Sequence, residues 1–171
     1  SPSARQRTRV DGALGWLDGS AKLKATQLDL VSSDLRSNRI LANSHDRGVD
    51  SYRLLRTRVL QKMAQNNWRS VGVTSPNARA GKTTTSVNLS FAIARAPNCS
   101  AVLLDCDFRR PSVHTTLSVD PEKGLVDYLS GNAELSEVLY ASDSRDWLLL
   151  PCGRLGYEAP SELLGSRRMS N

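Results

Sequence analysis

Long hydrophobic runs are missing from this chain of 171 residues. Its wholly apolar stretches, such as Ala101 to Leu104 and Leu148 to Leu150, fall far short of the ~20 residues a membrane-spanning helix needs. The N-terminus from Ser1 to Arg9 is basic and has no apolar stretch behind it, which is not the pattern of a secretory signal. It also lacks an initiator Met, so a fragment or a processed chain is expected. Cysteine is scarce: Cys99, Cys106 and Cys152 are an odd number, with neither a C-x-x-C pair nor metal-ligand spacing. A disulfide scaffold and a zinc site are therefore not expected, and reduced thiols in a cytosolic compartment are. Aromatics make up only 5% of the chain, and none alternates with the N-terminal basic residues as a stacking surface for nucleic acid would require. No internal repeat or low-complexity tract is found.

What is present is enough apolar material, 39% of residues, to bury one ordinary core. The net charge of +6 is unevenly spread. Residues 1–69 carry 13 Lys and Arg against 6 Asp, whereas residues 70–171 carry 10 against 11 acids. A basic arm suits nucleic acid, an anionic membrane surface or plain solvation. Without interleaved aromatics, no nucleic-acid partner is expected.

Residues 1 to about 27 show no sustained period and read as a flexible lead-in. From Asp50 to Asn66, Tyr52, Leu55, Val59 and Met63 recur at helical spacing, with Asp50 as a start cap and Asn66-Asn67 as a stop. Trp68 to Ser75 reads as a short strand running into a loop, and Lys82 to Arg95 as a helix stopped by Pro97. Ser100 to Leu104 reads as a strand buried on both faces. Short helices are expected around Leu125 to Leu129 and Leu135 to Leu139, a strand over Trp147 to Leu150, and a last helix from Ser161 that is still running at the end of the sequence. Strands alternating with helices predict an α/β fold with a mainly parallel sheet.

Two constellations carry chemistry. Gly81-Lys82-Thr83-Thr84 lies between the first predicted strand and a helix. There, backbone N–H groups and the helix N-terminus face an anion, Lys82 reaches terminal phosphates, and the Thr83 hydroxyl is placed to ligate Mg²⁺. Pro76 stands where the full phosphate-loop pattern has its first Gly, and this excludes most classes of such loops. The second constellation is Asp105-Cys106-Asp107-Phe108-Arg109-Arg110-Pro111 after the strand at 100–104. Alternation puts Asp105 and Asp107 on one side at the C-terminal edge of the sheet, where open α/β sheets bind ligands. Two carboxylates that close need a cation, which Mg²⁺ held by Thr83 and phosphates would supply.

Over roughly residues 48–171 the sequence resembles the bacterial tyrosine kinases of capsule and exopolysaccharide synthesis. Within that family it is most similar to the autokinases of exosortase-linked polysaccharide loci. Thr74-Ser75 through Gly81-Lys82-Thr83 resembles their Walker A loop, and Leu103 through Pro111 their Walker A′ motif. Asp50-Ser51-Tyr52-Arg53-Leu54-Leu55-Arg56 resembles the Glu-x-x-Arg-x-x-Arg motif through which these kinases join into rings. Gly124 to Leu129, Leu150 to Gly153 and Ser161 to Leu164 follow in the family's order. The resemblance implies a P-loop fold and transfer of the ATP γ-phosphate to tyrosine, mostly on neighbouring copies. It also implies control by a membrane-embedded polysaccharide co-polymerase and a cytoplasmic place beside the inner membrane.

Carried over by position, Lys82, Asp105 and Asp107 form the catalytic set. Asn77, Ala78, Arg79, Ala80, Gly81, Lys82, Thr83 and Thr84 bind ATP, and Thr83 with Asp105 binds Mg²⁺. Which Asp serves the acceptor hydroxyl stays open. Asp50, Arg53 and Arg56 would form the ring contact. Residues 1–47 are then a basic lead-in, and 48–171 the first part of a kinase domain. The sequence departs from the family at Ala78-Arg79-Ala80, where Pro-Gly-Glu is usual, and at Asp50, where Glu is. It also stops before the strand bearing the Walker B Asp and before the Tyr-rich tail, so the chain as given is expected not to autophosphorylate. The alternatives are a partition-type ATPase, which Asn77 in place of a second lysine disfavours, and a nucleotide-binding adaptor that transfers nothing.

Overall fold

The computed structural model describes residues 25–41, 47–142, 146–154 and 160–170. In chain order these form β1 (Thr26–Gln27), α1 (Ser32–Ser37), α2 (Arg47–Asn66), α3 (Lys82–Ala94), β2 (Ala101–Leu104) and α4 (Val113–Leu117). Then come α5 (Leu125–Leu129), α6 (Leu135–Val138), β3 (Tyr140–Ala141), β4 (Trp147–Leu150), α7 (Pro160–Leu164) and α8 (Arg167–Ser170). The α/β class predicted from the sequence is the one observed.

The strands lie in the order β1-β3-β4-β2, with β2 parallel to β4, β1 parallel to β3, and β3 antiparallel to β4. Because side chains alternate along a strand, Trp147 and Leu149 enter one core and Leu148 and Leu150 the other. The first core joins Val87 and Phe91 of α3, Ala101 and Leu103 of β2, and Leu117 of α4. The second gathers Leu125 and Leu129 of α5, Val138 of α6, Leu163 of α7 and Phe108. All four residues of β4 are buried, as a central strand covered on both faces requires. Leu28, Leu35 and Ile40, which precede the expected start of the kinase domain, also enter the first core, and Ile40 is only 1% exposed.

Several local expectations are corrected. Trp68 to Ser75 forms no strand: Trp68, Val71 and Val73 are exposed, and no ladder is formed there. High β-propensity makes a strand only where a partner supplies hydrogen bonds and a surface to pack on. Among the described residues none does. Strand β2 is buried on both faces only in part, with Ala101 and Leu103 in the first core and Val102 packed against the second. It is the sheet's edge, and Leu104 is 43% exposed. Helix α2 begins at Arg47, three residues before Asp50, which sits in its first turn rather than at its cap. Its inner stripe is Val49, Tyr52, Arg56, Val59 and Met63, with Leu55 outside. Arg56 takes the inner place because its stem packs along α3 while its guanidinium donates to the Ala92 carbonyl at 3.3 Å. That carbonyl lies in the last turn of α3 and has no intrahelical donor. The last predicted helix breaks at 165–166 into α7 and α8.

A tight crossing fixes the far side of the sheet. Leu125 and Val126 donate backbone bonds to Pro151 and Cys152 at 2.7 and 2.9 Å. A Cβ on Gly124 would collide with the backbone nitrogen of Gly153. The two motifs that contain these residues, far apart in sequence, are one joint.

Candidate active site

The loop at 75–81 has no regular structure and ends in two left-handed residues, Arg79 at φ 61° and Gly81 at φ 85°. Gly81 bears that conformation without cost; Arg79 does not. Replacing Arg79 by Gly should therefore raise stability by up to ~1 kcal/mol, after the extra chain entropy of glycine is set against the relieved strain. The urea midpoint is the measurement, and an unchanged or lower value would show that the loop is unstrained.

Gly81 is the residue before α3, and the helix opens with Lys82 and Thr83. No acidic side chain occupies its first turn and no side chain caps it. The first N–H groups of a helix lack intrahelical acceptors and carry the positive end of its dipole. A phosphate fits this end, and a carboxylate of the chain's own does not already fill it.

The Lys82 ammonium lies 2.6 Å from Asp107 Oδ2, and both side chains are partly exposed. Asp107 Oδ1 also accepts the Arg110 N–H at 3.0 Å. The hydrogen bond from Lys82 is the main cause that holds the Asp107 carboxyl below its ordinary range. The stability this pair adds is therefore fully present above the unfolded carboxyl's pKa and is lost as the pH falls through the lowered one.

Asp105 is 5% exposed and wholly engaged with backbone. Its Oδ1 accepts the Asp107 N–H, and its Oδ2 accepts those of Ser112 and Val113, all at 3.1 Å. It shapes the turn from β2 into α4. The two aspartates that alternation groups together thus meet different environments, Asp107 facing Lys82 and Asp105 folded under the loop.

Cys106 stands between them as an exposed residue, its thiol pushed up by partial desolvation and then by Asp105. Cys152, fully buried beyond the end of β4, is pushed up to about 12, chiefly by burial. Neither thiol is an activated nucleophile. Among the described residues no three His, Cys, Asp or Glu side chains form a metal-holding group.

Of the site residues expected from the sequence, the structure brings Lys82 to Asp107 and leaves Asn77, Ala78, Arg79 and Ala80 on the exposed loop before α3. One residue the sequence reading passed over is Ser112. Its Oγ lies 2.8 Å from Thr83 Oγ1, joining the loop after β2 to the start of α3. A Ser directly after Pro111 and before an apolar residue is a helix-start signal, which could have drawn attention to it.

No family model matches the chain. It is 29% identical over 144 residues to the tyrosine-protein kinase YwqD of Bacillus subtilis, covering 79% of this chain and 60% of that protein. It is also 29% identical over 158 residues to the tyrosine-protein kinase etk of Escherichia coli, covering 90% of this chain and 22% of the relative. The chain thus spans less than two thirds of the length of either. The solved kinase domain of the Escherichia coli tyrosine kinase ETK superposes with a TM-score of 0.70 at 28% identity, over 91% of this chain and 58% of that one. The sequence relatives and the structural neighbour are thus all bacterial tyrosine-protein kinases, and it is to these that the chain is similar in sequence and in fold.

Proposed function

We propose that the protein is an ATP-dependent tyrosine autokinase of capsule or exopolysaccharide synthesis, of which this chain carries the nucleotide-binding part. The observation that carries the reading is the Lys82 to Asp107 contact at the N-terminus of α3. A lysine there neutralises phosphate charge, and phosphoryl transfer needs positioning and charge neutralisation more than covalent help. The loop from Asn77 to Thr84 and the open N–H groups of α3 would hold the phosphates of ATP. Thr83 would hold Mg²⁺, which when bound offsets phosphate charge, and Asp105, whose oxygens accept backbone N–H groups, would orient that end of the site. On nucleotide binding Lys82 turns from Asp107 to phosphate, and this frees the Asp107 carboxylate to orient the attacking hydroxyl.

The acceptor is a tyrosine of a neighbouring copy. Tyr140 is a poor one: it is buried, its hydroxyl donates to the Lys123 carbonyl at 3.1 Å, and burial pushes its pKa up. Incubating the full-length gene product with Mg-ATP and blotting for phosphotyrosine tests the reading. Signal that disappears with Lys82→Met supports it. Nucleotide binding without any phosphotyrosine would replace it with the adaptor.

The neighbouring copies are proposed to meet through α2 as a ring, and a membrane-embedded co-polymerase to hold them beside the inner membrane. Among the described residues no helix is long and apolar enough to cross a membrane. On α2, Asp50 and Arg53 pair at 3.1 Å and remain largely exposed, while Arg56 is committed to Ala92. Arg53→Ala should therefore shift the full-length protein toward monomer in sedimentation without changing its circular dichroism. Unaltered oligomer size would remove α2 from the contact.

A further inference from the structure

Ser112 occupies the position before α4 where a serine ordinarily turns its hydroxyl back onto its own helix. Here it makes no such bond. The Asp105 carboxylate serves the start of α4 instead, accepting the N–H groups of Ser112 and Val113 through one oxygen, a different pair from the ones a capping serine reaches. The serine hydroxyl is spent on Thr83, 29 residues away in sequence, at 2.8 Å. Asp105 itself is buried, so the peptide plane that carries Ser112 is fixed from below.

A hydroxyl that offers its lone pair to a cation must direct its proton elsewhere, and Ser112 Oγ is the acceptor in reach of Thr83. We infer that Ser112 is a positioning residue, whose hydroxyl accepts the Thr83 proton and so aims the Thr83 lone pair at the nucleotide-bound divalent cation, with Asp105 acting on Thr83 through it. This rests on the nucleotide-site reading above and adds a residue to it. It also divides the work of the two aspartates: Asp107 answers to Lys82, and Asp105 to the Ser112–Thr83 pair.

The test is calorimetric titration of ADP into the chain, with Mg²⁺ and again with EDTA. The gain in affinity brought by Mg²⁺ should fall about 3- to 10-fold in Ser112→Ala, the loss of one hydrogen bond, while affinity in EDTA stays unchanged. Ser112→Thr, which keeps the hydroxyl, should restore it. In a Thr83→Val background Ser112→Ala should have no further effect. The melting temperature of Ser112→Ala should barely move, because Asp105 and not the serine hydroxyl serves the end of α4; a large drop would mark a purely structural cap. Should Ser112→Ala not fold, Ser112→Cys tests the same loss with a weaker acceptor of similar shape. An unchanged Mg²⁺ gain in these variants, or an equal loss in EDTA, would overturn the inference and leave the nucleotide site standing. Absence of ADP binding by the unaltered chain in both buffers would overturn the nucleotide-site reading, and the inference with it.

Discussion

Lys82→Met should weaken ATP and ADP binding by roughly 10- to 150-fold, the equivalent of one charge-assisted phosphate contact of ~1.5 to 3 kcal/mol. The lower part of that range is the better expectation. In the absence of nucleotide the ammonium already sits 2.6 Å from Asp107, so binding exchanges one anionic partner for another. Asp107→Asn removes the competitor, and it should leave nucleotide affinity equal or tighter while abolishing phosphoryl transfer. Calorimetry on the folded variants reads both effects. Equal affinity of Lys82→Met and the unaltered chain would dismiss the phosphate loop altogether.

The second large effect is on stability. Trp147 is 0% exposed, its ring stacks on Phe91 at a centroid distance of 4.4 Å, and its indole N–H donates to Ser90 Oγ at 2.8 Å. Ser90 in turn donates to the Val87 carbonyl, so the network is satisfied. Trp147→Ala should cost ~3 to 5 kcal/mol, a large share of the ~5 to 15 kcal/mol by which such a domain is stable. Trp147→Phe keeps a ring against Phe91 and loses only the hydrogen bond, so it should cost far less. Urea unfolding separates the two. A small effect of the alanine would mean that β4 and α3 are held together by something other than this contact.

How legible the molecule is from its sequence depends on whether the deciding partner is local. The start of α3 follows from Gly81 and Lys82, and its end within one residue from the Pro97 stop. The wholly apolar Trp147 to Leu150 run marks β4 to the residue. In α2, spacing alone could not choose between Leu55 and Arg56 for the inner face, because both satisfy a helical period. The unserved Ala92 carbonyl on another helix decides it. Strands β1 and β3, of two residues each, are too short for any period to register.

At the site, Lys82, Thr83 and the two aspartates were readable because loop and strand chemistry is written in consecutive residues. The split between Asp105 and Asp107 was not, since it comes from the turn that folds Ser112 back beneath the strand end. The exposed course of residues 68–73 was equally illegible: their composition favours a strand, and only the three-dimensional neighbourhood withholds the partner.

The edge position of β2 leaves a rhythm that amide exchange can read. In a parallel pair, alternate N–H groups of a strand point to one neighbour and the rest to the other side. The Ala101 and Asp105 amides donate toward the β4 side, to Asp146 and Leu150, and Leu103 shares their phase. Val102 and Leu104 direct theirs to the open flank. Deuterium should therefore enter β2 at every second residue, fast at 102 and 104 and slow between, within one strand of uniform sequence character. A ligand or polypeptide segment that settles along that flank would erase the alternation, which makes these two amides a local clock for whatever completes the sheet.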